Sequence, residues 1–247
     1  MRLLIQGDSP RESALRSEAL RSGHTLPAHG PWDAVILPFP HSFISEENAD
    51  QLPPGQTVLC GRTDAAFDCL AAKRGWKLFR ILEDEEFTER NARLTAEGAI
   101  FAAMGAVPSA LTDVNCLIIG FGRIGKALTR LLRCLGANIT VAARREESRA
   151  QAGENSVSIQ GVSRVLPQCD LLFNTVPAQI LTSAQLSLMP KGSVFIELAS
   201  PPYGIDPEEA KKSGVRYLLE SGVPGRYCPV SAAKAVLSCV ERQVNRP

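Results

Sequence analysis

Histidine is scarce in this 247-residue chain, and all three copies, His24, His29 and His41, lie near the N-terminus. Acid/base chemistry that rests on a histidine therefore has no candidate in the rest of the sequence. Strong net charge is also missing. With 27 basic and 26 acidic residues the formal charge is +1, which gives no broad field to steer nucleic acid or an anionic membrane. Charged ligands must then be held by local groups, so the expected partner is a small molecule, with no nucleic acid and no membrane. No long apolar run is present: Leu171 to Pro190 carries no charge but holds Asn174, Pro177, Gln179 and Gln185, the pattern of a protein interior rather than a span. The seven cysteines are odd in number and never form Cys-x-x-Cys, so they read as reduced core residues of a cytoplasmic protein and not as a disulfide or zinc framework. The start, Met-Arg-Leu-Leu-Ile-Gln-Gly-Asp, has too short an apolar run for a signal peptide.

What is present is the balance of a globular protein, 45% hydrophobic and 21% charged, at a length between one domain and two. Short apolar runs alternate with helix-sized polar stretches. Leu3–Ile5, Ala34–Leu37, Thr57–Cys60 and Trp76–Phe79 are each bounded by Gly or Pro, which predicts a small parallel α/β domain over 1–90. The stretch from Thr88 to Val107 reads as a helix joining two domains (91–107 belonging to the second). From Asn115 the period recurs more clearly, with strands at 116–119, 139–142, 170–173, 193–196 and 215–218 and a helix from Ile124 to Leu135 stopped by Gly136. The prediction is α/β with two doubly wound Rossmann-like domains, the second over 91–229, and a last helix over 230–247 that packs on the first domain. Cofactor and substrate would meet between the domains.

Gly120-Phe-Gly122-Arg123-Ile124-Gly125 directly follows an apolar strand and opens a helix. Gly120 permits the tight turn, Gly122 leaves room for a pyrophosphate, and Gly125 lets helix and strand pack closely. The free N–H groups and the dipole at that helix start favour the phosphates of a dinucleotide. At the end of the next strand, where a carboxylate would take the ribose 2′-hydroxyl of NAD, the chain reads Ala142-Ala143-Arg144-Arg145. Arginine there can pair bidentately with a 2′-phosphate, so the reading favours NADP over NAD, with a solvated basic turn as the alternative.

Ligands in such sheets sit beyond the carboxyl ends of the strands. That places Thr175, Val176, Pro177 and Ala199 against the cofactor, together with Arg123, Ile124 and Arg145. Ser200, Arg226 and His41 are the candidates for the substrate; Arg226 follows Ser221-Gly-Val-Pro-Gly225, which reads as a stiff loop. No catalytic group is assigned. The His and Arg of 2-hydroxy acid dehydrogenases have no counterpart where that chemistry needs them.

Taken in order, Thr95-Ala-Glu-Gly-Ala-Ile100, Leu117-Ile-Ile-Gly-Phe-Gly-Arg123, Val141-Ala-Ala-Arg144, Phe173-Asn-Thr-Val-Pro177, Glu197-Leu-Ala-Ser200 and Gly222-Val-Pro-Gly225 resemble the A subunits of dipicolinate synthase. The resemblance runs along the whole chain and is densest over about 92–237. It implies a formate/glycerate-dehydrogenase-like arrangement and NADP-dependent oxidation of dihydrodipicolinate to dipicolinate in spore formation, with a flavoprotein-like B subunit as partner. Self-association into a homo-oligomer is a further expectation. Glu97, within the Thr-Ala-Glu-Gly string, reads as a helix cap or a base. A non-catalytic NADP-binding subunit, with the chemistry in the partner, is the alternative.

Overall fold

The computed structural model describes residues 1–40, 42, 44 and 46–244. The chain divides into two compact units, one formed by 1–91 with 224–247 and the other by 92–223.

The first unit has a four-stranded parallel sheet in the order β1-β2-β3-β4: β1 (Leu3–Ile5), β2 (Ala34–Ile36), β3 (Thr57–Cys60) and β4 (Lys77–Arg80). A parallel bridge between Arg2 and Thr25, with Leu3 N–H to Thr25 O at 2.8 Å, adds a rudimentary strand outside β1. Counting it in chain order gives 2-1-3-4-5, the doubly wound flavodoxin-like arrangement, in which the strand order reverses between β1 and β2. No apolar run in the sequence marks Thr25.

Helix α1 (Pro10–Arg21) covers one face of this sheet, α2 (Glu46–Asp50) and α3 (Ala65–Arg74) the other. Helix α1 starts where the sequence says it should. Ser9 and Glu12 form a reciprocal capping box and Pro10 takes the first helical position. Its buried stripe, Leu15 and Ala19, packs with Ala233, Val236, Leu237 and Val240 from the last helix. His24 is structural: its ring contacts the N-terminal amine at 3.1 Å and Glu241 at 3.0 Å.

Helix α4 (Glu85–Ala106) is capped by Asp84, which accepts from Phe87 N–H at 2.7 Å, and runs from the first unit into the second. In the second unit β5 (Asn115–Ile119), α5 (Arg123–Cys134), β6 (Asn138–Ala142), α6 (Glu146–Ala152), β7 (Ser156–Val157), β8 (Leu171–Asn174), α7 (Ser183–Leu186), β9 (Val194–Glu197), α8 (Pro207–Lys212) and β10 (Arg216–Leu219) follow in turn. The sheet order is β10-β9-β8-β5-β6-β7, all parallel. In chain order this is 3-2-1-4-5-6, the dinucleotide-binding arrangement, with its switch point between β5 and β8. The central strands are buried on both faces and so read as unbroken apolar runs. Leu117, Ile119, Leu172 and Phe195 face a cluster with Val162, Leu166, Leu186 and Ile205. Each such side chain contributes roughly 1.5–3 kcal/mol by leaving water.

Two expectations change. The stretch 221–225 is not a loop throughout, because Val223–Tyr227 forms α9, from which the chain enters α10 (Pro229–Val244). No disulfide joins any of the cysteines, but Cys69 and Cys134 are exposed on helices, while burial pushes Cys60 up to about 11 and Cys116, Cys169 and Cys239 up to about 12.

Candidate functional site: strand tips at the switch point

The carboxyl end of β5 leads straight into α5 through three glycines that do different things. Gly120 has φ +101°, and a Cβ on it would lie 2.3 Å from Thr175 Oγ1. A Cβ on Gly125 would lie 2.1 Å from the Gly120 carbonyl oxygen. Both glycines are thus required by the fold itself. Gly122 is not: its backbone is extended at φ −80°, and nothing stands within 4 Å of a Cβ placed there. It is the N-cap of α5 and supplies no side-chain cap to the start of the helix. This glycine keeps clear the ground in front of a helix N-terminus, where a pyrophosphate binds.

The neighbouring tips are tied to this turn and to each other. Thr175 donates from both its N–H (2.9 Å) and its hydroxyl (3.0 Å) to the Ile119 carbonyl. Asn174 and Glu197, the last residues of β8 and β9, are fully buried, and Asn174 Nδ2 donates to Glu197 Oε1 at 2.7 Å. The same oxygen accepts Ala199 N–H at 2.9 Å, and Oε2 accepts Gly204 N–H at 2.8 Å. Glu197 therefore closes the turn from Ala199 to Gly204, in which Tyr203 takes φ +56° and its N–H donates to the Ser200 carbonyl. Burial pushes the Glu197 carboxyl above the usual carboxylate range, and the three N–H donors offset only part of that rise.

At the tip of β6, Arg144 and Arg145 are exposed. Arg149 reaches back from α6 to the carbonyls of Ala143 (3.1 Å) and Arg144 (2.9 Å), which shapes the turn that carries them. Glu146, the next carboxylate, already belongs to the first turn of α6.

The structure thus brings Gly120, Gly122, Arg123, Ile124, Gly125, Arg144, Arg145, Thr175, Val176, Pro177, Ala199 and Ser200 to the carboxyl ends of one sheet, within the second unit. Arg226 belongs to the first unit, on α9, with its guanidinium 5.1 Å over the Tyr227 ring. His41 lies outside the described residues. Glu97 is exposed in the middle of α4 and caps nothing, since Asp84 holds that role. Sequence reasoning missed Asn174 and Glu197 as a pair. Their only signal was a polar residue closing each of two otherwise apolar strands. Among the described residues no group of three or more His, Cys, Asp and Glu could hold a metal ion, and no helix is long and apolar enough to cross a membrane.

Residues 86–201 match the family described as the NAD binding domain of D-isomer specific 2-hydroxyacid dehydrogenases. The second unit carries a dehydrogenase-type dinucleotide-binding domain, which supports an oxidoreductase. More particularly, the chain is homologous to the A subunit of dipicolinate synthase from Bacillus subtilis (strain 168), with 27% identity over 202 residues, 81% of this chain and 68% of that protein. Among solved structures it is similar to the A subunit of dipicolinate synthase from Bacillus halodurans, at 24% identity and a TM-score of 0.85 over 100% of this chain and 98% of that one. It is also similar to a transhydrogenase from Sinorhizobium meliloti, at 18% identity and a TM-score of 0.75 over 98% and 94% of the two chains. The resemblance read from the sequence holds, and so does the α/β, Rossmann-like fold.

Two outcomes check the site. Gly122→Ala should fold and melt as the wild type does yet bind nicotinamide dinucleotide at least about tenfold more weakly in a fluorescence titration, because the added methyl enters only the ligand's space. Glu197→Gln should cost about 1–3 kcal/mol in urea unfolding, since an amide NH2 must face one of the three donors. The folded state holds the Glu197 proton more tightly than the unfolded chain does. That stability is present below the ordinary glutamate pKa of about 4.3 and is lost as pH rises through the raised value, so the gap between wild type and Gln variant should narrow over that range.

Proposed function

We propose that this protein is an NADP-dependent oxidoreductase that converts dihydrodipicolinate to dipicolinate, pyridine-2,6-dicarboxylate, as the A subunit of a dipicolinate synthase active in the cytoplasm during spore formation. The observation that carries the nucleotide part is Gly122, a glycine that the fold does not need, standing before an uncapped helix N-terminus. The substrate rests on homology to a protein with that name. Arg144, at the tip of β6 with no carboxylate before Glu146, supports NADP over NAD.

When bound, the nicotinamide supplies the hydride acceptor. A dihydropyridine dicarboxylate loses a hydride and a proton and becomes aromatic, so the ring itself favours the step. What remains for the protein is orientation. Thr175, Val176, Pro177 and Ala199 wall the nicotinamide end. The turn held by Glu197 presents Ser200 toward the substrate, and Arg226 and His41 are further substrate residues. A flavoprotein-like B subunit is the proposed partner, and the chain also forms a homo-oligomer. The absence of histidine beyond residue 41 favours a second reading, in which this chain binds NADP without catalysing and the chemistry lies in the partner.

Purified chain given dihydrodipicolinate and NADP should form NADPH, read by absorbance. NADPH formed only when the partner subunit is present would favour the second reading, and none in either case would overturn both. In calorimetry Arg144→Ala should weaken NADP by about 10- to 100-fold while leaving NAD within about twofold. Tighter NAD than NADP binding by the wild type would overturn the arginine argument.

A further inference from the structure

The switch point of the first unit holds a buried cation that the fold satisfies on one edge only. The strand order reverses between β1 and β2, and it is beyond the carboxyl ends of such a strand pair that ligands bind. Arg11, at the start of α1, stands there with only 8% of its surface exposed. Its guanidinium lies 4.2 Å over the Phe39 ring, just past β2, and Nη1 donates to the Phe39 carbonyl at 3.4 Å. Nε is buried and has no hydrogen-bond partner. No hydrogen bond from Nη2 and no ion pair of Arg11 are found among the described residues.

An arginine this deep normally meets a carboxylate, because an unpaired buried charge is costly. Glu12, next in sequence and buried, makes no ion pair with it, and its Oε2 accepts Ser9 N–H at 3.1 Å within the capping box. Burial pulls the Arg11 pKa down, and Glu12 acts on it through its charge and raises it part of the way back; a guanidinium keeps its proton at neutral pH. The protein therefore maintains a charged group with one edge, Nη1, committed to the backbone. The other, Nε with Nη2, has no acceptor, and such a pair of parallel N–H groups grips a carboxylate bidentately.

Gly225 supplies the second observation. A Cβ there would stand 3.3 Å from Arg11 Cβ, 3.5 Å from Nε and 3.7 Å from Nη2. The backbone of α9 thus passes along the unused edge, and any side chain at 225 would crowd it.

We propose that Arg11 is a substrate-binding residue of the first unit, whose Nε–Nη2 edge takes one carboxylate of a small planar acid beside the Phe39 ring. Its identification with a carboxylate of the dicarboxylate substrate rests on the reading under Proposed function; the carboxylate site itself rests on Arg11, Phe39 and Gly225. Arg11 and Gly225 were absent from the substrate residues expected from the sequence, since an arginine in the first turn of an amphipathic helix looks like any solvated cation.

Calorimetric titration of the full chain with pyridine-2,6-dicarboxylate, malonate and pyruvate, with NADP as control, tests this. Arg11→Met should weaken the bound acid by about 10- to 100-fold and leave NADP within about twofold, with Arg11→Lys recovering only part of the loss because an ammonium lacks the fork. If Arg11→Met does not fold, Gly225→Ala, which keeps the charge and crowds the edge, should weaken the acid at least about fivefold. Acid binding within twofold of wild type in the folded Met variant overturns the proposal, as does the same result in Gly225→Ala should the Met variant not fold. Wild type that binds malonate or pyruvate through Arg11 but not the pyridine dicarboxylate would keep the anchor and remove the proposed substrate. Pyridine dicarboxylate bound equally by wild type and Met variant would do the reverse, and no binding of any acid would remove both.

Discussion

The constraint on which the second unit depends is the approach of α5 to the end of β5. Residue 125 sits so close to the Gly120 carbonyl that any Cβ would overlap it, and this closeness lets the helix begin at Arg123, three residues after the turn at Gly120. A longer or looser connection would carry the helix start away from the sheet, and its first N–H groups would no longer lie beyond the strand ends. Thr175 reinforces the arrangement by tying the tip of β8 to Ile119, against the face of Gly120 that has no side chain. Strand, turn and helix therefore act as one rigid anion-facing corner.

Beside that corner, order is maintained by a buried acid. Glu197 spends both carboxylate oxygens on N–H groups, one from β8 and two from the turn after β9. Carboxylates so deep are normally paired with a cation. Three hydrogen-bond donors serve instead, and the residual cost appears as a raised pKa. The gain is positional: strand ends that would otherwise fray are joined into one wall.

The first unit uses the same topological device with a different strand order, and its reversal depends on the bridge at Thr25. There a buried arginine, rather than a helix N-terminus bare of side chains, is the group left over once internal hydrogen bonds are counted. The capping box of α1 explains the difference, because Ser9 and Glu12 satisfy the helix start from within. One unit keeps a helix start without a side-chain cap, suited to phosphate, the other a planar cation suited to carboxylate.

Much of this was legible in the residues. Apolar runs ending in glycine or proline marked the main strands. The three glycines with their flanking strand and helix marked the nucleotide corner, and Arg144 fell at the strand tip predicted for it. These features are local, set by backbone sterics and side-chain period, and a sequence displays them directly. The tertiary structure alone decided the rest. The Thr25 bridge and the two-residue β7 are too short to carry a period, and Val223–Tyr227 became a helix where glycine and proline suggested a loop. The partnership of Asn174 with Glu197 and the unspent edge of Arg11 beside Gly225 join residues far apart in the chain. Whether a buried polar group is satisfied depends on every neighbour it meets, and only the folded chain brings those neighbours together.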